Sequence, residues 1–203
     1  MNIQQYIEKF ITIDNKILNK LEQEYHNRND IQPGIGVQAG RFLTWLVNVI
    51  QAKKVLEFGT CLGYSTVVLA EAVSMIDGRL VAIECDKKLC DETRKNLIDA
   101  KLDGFVTLIN ANASEAIKNL DGGFDLILQD SNKSLYTKML DDCVEKLNPH
   151  GIIVADDTLF TPMGIDKKYS QHMDAYNKMV FADTRLISTI LPIGDGLTIS
   201  VKK

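Results

Sequence analysis

Five acids and one lysine carry most of the chemistry open to this chain. Residues 55–70 read VLEFGTCLGYSTVVLA: an apolar run ends in Glu57, a loop holds Gly59 and Gly63, and a helical pattern begins near Ser65. This is the strand–loop–helix outline of a nucleotide site. A dinucleotide loop, G-x-G-x-x-G, would need glycine where Cys61 and Tyr64 stand. A Walker loop would need G-K-[ST], which is absent here. No pyrophosphate cradle is evident, yet the two glycines still let a ligand approach the backbone closely. Glu84 ends VAIE, 21 positions after Gly63 (84 − 63). That is near the spacing of an acid that holds a ribose diol, and one carboxylate can accept from two hydroxyls. A ribose without pyrophosphate beside an acid-rich loop points to a cationic nucleoside, S-adenosylmethionine, with Glu57 and Ser65 at its amino-acid end. The competing reading makes Glu57 and Glu84 solvated strand-end acids.

The remaining acids close two further apolar runs, Asp130 in LILQDSNK and Asp156-Asp157 in IIVADDTLF. Neighbouring strands lie about 4.8 Å apart, so carboxylates on adjacent strand ends can converge on one ion. Oxygen ligands without His or Cys select a hard cation, magnesium first, with calcium or manganese as alternatives. Lys133 follows Asp130 by three residues. Beside a metal and a sulfonium its pKa would fall, and it could act as general base toward a phenol. Taken singly, Asp156 or Asp157 would cap a loop and Lys133 would form a surface ion pair.

The elements that must position these residues follow from periodicity. Ile3, Tyr6, Ile7, Phe10, Ile17, Leu18, Leu21 and Tyr25 recur at helical spacing, with extra apolar residues near Ile11 and Ile13, in an amphipathic helix broken in its middle. Phe42, Leu43, Leu46, Val47 and Ile50 mark a second helix. KKVLEF, RLVAIE, FVTLIN, FDLILQD and GIIVAD then read as strands, separated by helical patterns in STVVLAEAV (with Ser65 as N-cap), KKLCDETRKNLIDA, SEAIKNL and SLYTKMLDDCVEKL. Strands alternating with helices imply parallel βαβ units covered on both faces. RLISTILPI and LTISVKK, joined around Gly194-Asp195-Gly196, read as an antiparallel hairpin. The expectation is one three-layer α/β domain over residues 1–203, with residues 1–52 forming helices that cap the core.

The 203 residues are 45% hydrophobic with a formal net charge of −4, so no global basic field draws in a nucleic-acid backbone. The four cysteines show no C-x-x-C spacing and His26, His150 and His172 are scattered, which gives no zinc pattern and fits reduced thiols in the cytoplasm. No run reaches the length of a membrane span.

With these residues placed, the chain resembles the cation-dependent class I O-methyltransferases, the catechol and caffeoyl-coenzyme A type with small bacterial relatives. The resemblance runs from about Gln32 to Lys203 and rests on VLEFGTCLGYS, FDLILQDSNKSLY and LPIGDGLTISVKK. It implies a Rossmann-like, seven-stranded, mostly parallel sheet of order 3-2-1-4-5-7-6 with an antiparallel C-terminal hairpin. It also implies that Glu57, Gly59, Thr60 and Ser65 line the methionine end of S-adenosylmethionine, that Gly63 belongs to the cofactor-binding loop, that Ile35 touches the cofactor through backbone, that Glu84 holds the ribose and that Ala113 lies beside the adenine. Asp130, Asp156 and Asp157 would bind Mg2+ (or Ca2+/Mn2+), with Asp130 also near the cofactor, and Lys133 would be the catalytic base. The implied reaction is methyl transfer to a vicinal hydroxyl of a small catechol-like acceptor, by a cytoplasmic homodimer. The wobble 5-hydroxyuridine of tRNA is the alternative acceptor, and a non-catalytic cofactor-binding module is the alternative of another class. A basic patch near Lys53, Lys54, Lys167 and Lys168 would favour RNA, whereas a closed apolar slot around Phe160 and Met163 would favour a phenol. Three positions depart from the family pattern: Asp157, where Asn is frequent; TLFTPMG, where Phe160 replaces a Trp; and Asn112, where Gly is common.

Overall fold

Each apolar run becomes a strand of one sheet, and the described residues are 3–7, 9–12 and 15–203 of a computed structural model. Before the sheet come α1 (Ile3–Ile7), α2 (Lys16–Asn27) and α3 (Gly36–Ile50). The alternating part runs β1 (Lys54–Phe58), α4 (Tyr64–Ser74), β2 (Arg79–Glu84), α5 (Lys87–Asp99), β3 (Val106–Asn110), α6 (Ala113–Asn119), β4 (Phe124–Gln129), α7 (Tyr136–Lys146) and β5 (Leu147–Ala155). It ends with α8 (Lys167–Ala182), β6 (Leu186–Leu191) and β7 (Leu197–Lys202). The strand order is β3-β2-β1-β4-β5-β7-β6. β1 to β5 are mutually parallel, and β7 runs antiparallel to both β5 and β6.

Side chains alternate across the pleat, so the buried strands divide their residues between two cores. Val55, Leu80, Ala82, Leu126, Leu128, Ile152 and Val154 face the layer holding α2 to α5. Leu56, Phe58, Ile83, Ile127, Ile153 and Ala155 face α6, α7 and α8. Glu57 shares the parity of Val55, which directs it at the α4 side, where Ser65 and Thr66 are buried.

The local chemistry agrees with the sequence expectation in one place and departs from it in two. The N-terminal helix is broken, and Asn15 starts its second part by accepting from Ile17 N (2.9 Å) and Leu18 N (3.4 Å); Ile13 lies outside the described residues. Ser65 is not an N-cap. Gly63 takes that position at φ 91°, and Ser65 lies inside α4. Residues 167–182 form a helix that the periodicity did not announce; its buried stripe is Ser170, Met173, Tyr176 and Val180, in which one serine and one tyrosine weaken the apolar signal.

The strand order reverses between β1 and β4, which opens a crevice beyond their C-terminal ends. Gly59 makes this crevice possible. Its N–H donates to Ile83 O (2.9 Å), Asp130 N donates to Phe58 O (3.0 Å), and a Cβ on Gly59 would stand 2.3 Å from Asp130 O at φ +87°. Gly59→Ala is therefore expected to cost about 3 kcal/mol or more, whereas Gly104→Ala, with nothing within 4 Å of the added atom, stays within about 0.5 kcal/mol. Chemical denaturation of the two variants checks the contrast.

Candidate active site

The loop after β1 is shaped like an anion cradle, and its anion is a side chain. Gly59 and Cys61 take φ values of 87° and 49°, a pattern that gathers successive N–H groups into a concave nest. Thr60 N (3.0 Å) and Cys61 N (2.9 Å) both donate to Glu84 Oε2. Glu84 Oε1 accepts from Asp86 N at 2.9 Å. The carboxylate from β2 thus fills the position that a phosphate would take in a dinucleotide loop. Oε2 is committed to the loop, and Oε1, which accepts from one backbone N–H, keeps acceptor capacity.

Glu57 is fully buried, and no donor completes a hydrogen bond to either of its oxygens. Burial drives its pKa from 4.5 up to about 8; the Ser65 and Thr66 hydroxyls pull the other way, and Asp130 and Glu84 add to the rise. An orphaned buried carboxyl is costly and is matched by a cationic ligand. The chemistry of this pocket fits the positively charged end of S-adenosylmethionine. Ile35 is buried at the start of α3, with the hairpin turn at Gly194 against its carbonyl. Ala113 begins α6, where Asn112 accepts from Ser114 N at 2.9 Å; the asparagine departure is a helix cap.

Across the switch point, Asp130 and Asp156 each follow the last register pair of β4 and β5, Gln129 and Ala155. Asp157 sits at φ 65°, a conformation that Asp and Asn tolerate better than other side chains, so the turn itself restricts what can stand there. The Lys133 ammonium lies among them, 3.0 Å from Asp130 Oδ1, 2.5 Å from Asp157 Oδ2 and 3.0 Å from Tyr136 Oη. Burial and Asp157 lift Asp130 to about 6 against the pull of Lys133. Asp156 is raised well above an ordinary carboxyl, by burial first and then by Asp130 and Asp157. Burial pulls the ammonium down, but Tyr136, Asp130 and Asp157 outweigh it and hold its proton well above the usual lysine value. The expectation of a lowered Lys133 pKa supposes a metal and a sulfonium beside it; the chain's own groups around the ammonium are anions and a phenol.

Among the described residues, no three His, Cys, Asp or Glu side chains are set to close on one ion. Three oxygen donors in a buried, electron-rich corner have the chemistry for a hard cation, and the ammonium neutralises two of them here.

Two contributors went unnoticed in the sequence. Tyr136 is fully buried and bonded to Lys133. Asp195, on the tip of the β6–β7 hairpin, feels both Asp157 and Lys133, and burial raises its carboxyl; Leu159 N to Asp195 O (2.9 Å) and Thr158 N to Gly196 O (3.0 Å) pin that tip beside the site. The four lysines do not form one patch. Lys53 and Lys54 stand at the start of β1, tied to Asp125 and Gly122, while Lys167 and Lys168 open α8. Phe160 is half-buried and packs on the second core, and Met163 is 49% exposed, so the two make an open shelf and not a closed slot.

The sheet order with its reversed last strand, and a loop closed by Glu84 at the switch point, define the class I methyltransferase fold. The model of the O-methyltransferase family matches residues 8–203, and the chain belongs to that family. It is 32% identical over 186 residues to a catechol O-methyltransferase of Niastella koreensis, covering 84% of each chain. It is 28% identical over 176 residues to caffeoyl-CoA O-methyltransferase of Medicago sativa, covering 79% of this chain and 71% of the other. Its fold matches the O-methyltransferase TomG of Streptomyces achromogenes, solved with SAM, at a TM-score of 0.87 and 23% identity, with all of both chains covered.

The raised Glu57 pKa has a signed consequence. Folded Glu57 keeps its proton between pH 4.5 and about 8 while the unfolded chain has lost it, so ligand-free stability falls as pH rises through that window. At about 1.4 kcal/mol per pH unit, the loss over the whole window is on the order of 5 kcal/mol. Denaturation measured against pH should show Glu57→Gln gaining on the wild type from pH 5 to pH 8, and parallel profiles would contradict this reading.

Proposed function

We propose that this chain transfers the methyl group of S-adenosylmethionine to one hydroxyl of a small vicinal diphenol with the help of a divalent cation. The observation that carries the reading is the pairing, across one switch point, of an orphaned buried Glu57 with an Asp130–Lys133–Asp157 cluster. The first suits a cationic methyl donor and the second a hydroxyl that must lose a proton. Glu57, Thr60 and Ser65 would hold the amino-acid end of the donor, Ile35 and Gly59 would give it backbone, and Glu84 and Ala113 would meet its nucleoside. Asp130, Asp156 and Asp157 would hold the cation, which when bound acidifies acceptor hydroxyls as a Lewis acid.

Lys133 is the residue that takes the acceptor proton at Nζ. Its own proton is retained by Asp130 and Asp157; with those carboxylates engaged elsewhere the ammonium would release that proton to solvent, and the free amine would be the base. The acceptor oxygen then forms its bond to the methyl carbon as the carbon–sulfur bond breaks, leaving S-adenosylhomocysteine. Alignment of oxygen, carbon and sulfur in a water-poor crevice supplies most of the remaining acceleration.

The separation of Lys53 and Lys54 from Lys167 and Lys168 supports a small acceptor over tRNA. Exposed Tyr6, Phe10, Trp45 and Val49 support association of two copies through the N-terminal helices. Four free thiols support a reducing, cytoplasmic setting. No helix among the described residues is long and apolar enough to cross a membrane.

The test is transfer of labelled methyl from S-adenosylmethionine to a panel of vicinal diphenols, with Mg2+ and with chelator. Transfer abolished by chelator is the expected result. Transfer only to tRNA carrying 5-hydroxyuridine would move the acceptor to RNA, and cofactor binding without any transfer would make the chain a binding module.

A further inference from the structure

A lysine ammonium has three N–H donors, and the protein supplies an acceptor for each: Asp130 Oδ1, Asp157 Oδ2 and Tyr136 Oη. Two of the three are charged and stand on strand ends that open into the crevice. The third is neutral and comes from the first residue of α7, behind the site. The ammonium is 3.0 Å from Tyr136 Oη and 5.2 Å from the ring centroid, which puts it off the hydroxyl end of the ring and not over its face. The contact is therefore a hydrogen bond more than a cation–π interaction.

Tyr136 has no room to turn. Its side chain is fully buried, and its ring meets Tyr176 edge-on, with centroids 5.4 Å apart at 88°. Tyr176 is itself fully buried and its hydroxyl has no partner, so it serves here as a packing ring. The backbone adds a second constraint. Lys133–Leu135 is a 3-10 turn capped by Asn132 Oδ1, which accepts from Ser134 N at 3.0 Å, and it leads directly into α7. Lys133 and Tyr136 are three residues apart across this turn, a spacing at which side chains lie one above the other.

We infer that Tyr136 is a positioning residue for Lys133: its hydroxyl anchors Nζ from the protein side and keeps the amine aimed at the crevice when Asp130 and Asp157 are drawn to another cation or to the acceptor. This rests on the methyl-transfer reading for its catalytic consequence, but the anchoring is a property of the chain alone. The carboxylates bring the amine its charge partners, and the phenol fixes where it sits. A hydroxyl is suited to that part because it can accept from an ammonium and donate to a free amine, so the contact survives either protonation state.

The test uses two readouts. The first is nuclear magnetic resonance of 15N-labelled lysine side chains in the whole chain. An ammonium with all three N–H groups bonded exchanges slowly with water, so one slow resonance is expected in the wild type and is assigned by its loss in Lys133→Met. In Tyr136→Phe, which keeps the ring, that resonance should shift or broaden into exchange. No slow lysine resonance in the wild type, or an unmoved one in Tyr136→Phe, overturns the proposal; the first result needs no variant that must fold. The second readout is kinetic. Tyr136→Phe should lower kcat about tenfold or more and leave both KM values within about twofold, as expected for loss of an orienting contact at the reacting group. Unchanged kcat with a moved resonance overturns the positioning role, and so does an equal loss in kcat and in cofactor affinity, which would mark general damage to the site. Failure of methyl transfer by the wild type itself would count against the proposed reaction and leave the resonance experiment to decide the anchoring.

Discussion

The constraint on which the rest depends is the crowding of negative charge where β4 and β5 end. Parallel register puts Asp130 and Asp156 side by side one step past Gln129 and Ala155, and the turn adds Asp157 at a positive φ. Burial first, and repulsion between neighbouring carboxylates second, makes such groups resist ionisation, and both raise Asp130 and Asp156. A cation must enter the corner for the site to hold its charge, and the chain carries one on the next turn of its own backbone. Lys133 is bonded to two of the three acids. The same electrostatics that keeps the fold tolerable also keeps this lysine protonated, so its release to act as a base is tied to whatever next engages the carboxylates.

The other half of the crevice obeys a similar logic with the signs exchanged. A nest of N–H groups after β1 would attract an anion, and Glu84 supplies it from the neighbouring strand. Phosphate is thereby excluded from the loop, and the ligand must find its complement elsewhere. Glu57 offers that complement one pleat away, as a buried acid with no donor of its own. Gly59 lets the two halves meet, since any side chain there would collide with the Asp130 carbonyl. The N-terminal helices contribute from outside: Tyr25 accepts from Leu62 N at 3.3 Å, so α2 is fastened to the loop it covers.

Much of this was legible in the residues. Apolar runs, four of them ending in acids, gave the five parallel strands, and the Gly-Asp-Gly turn gave the hairpin, because strands buried on both faces leave unbroken apolar sequence. The carboxylates at strand ends were legible for the same reason. What escaped was whatever depended on partners distant in sequence or on which face of an element was buried. α8 was invisible because its core stripe includes Ser170 and Tyr176. Asp195 reaches the site only through the pinning of the hairpin to Thr158 and Leu159. Tyr136 stood unremarked in the helical pattern SLYTKMLDDCVEKL, and its hydroxyl acquired meaning only when the turn brought it to Lys133. The ion pair of Lys133 with Asp157 escaped because the two stand on turns after different strands and meet only in the fold.

The account rests on Lys133 as the group that removes the acceptor proton. Single-turnover transfer from labelled S-adenosylmethionine to a diphenol, at saturating cofactor and Mg2+, tests this most directly in the wild type and in Lys133→Met. The account predicts a rate about 100-fold or more lower in the variant, the usual scale of general-base catalysis, with cofactor affinity preserved. An equal rate in the two proteins would contradict it.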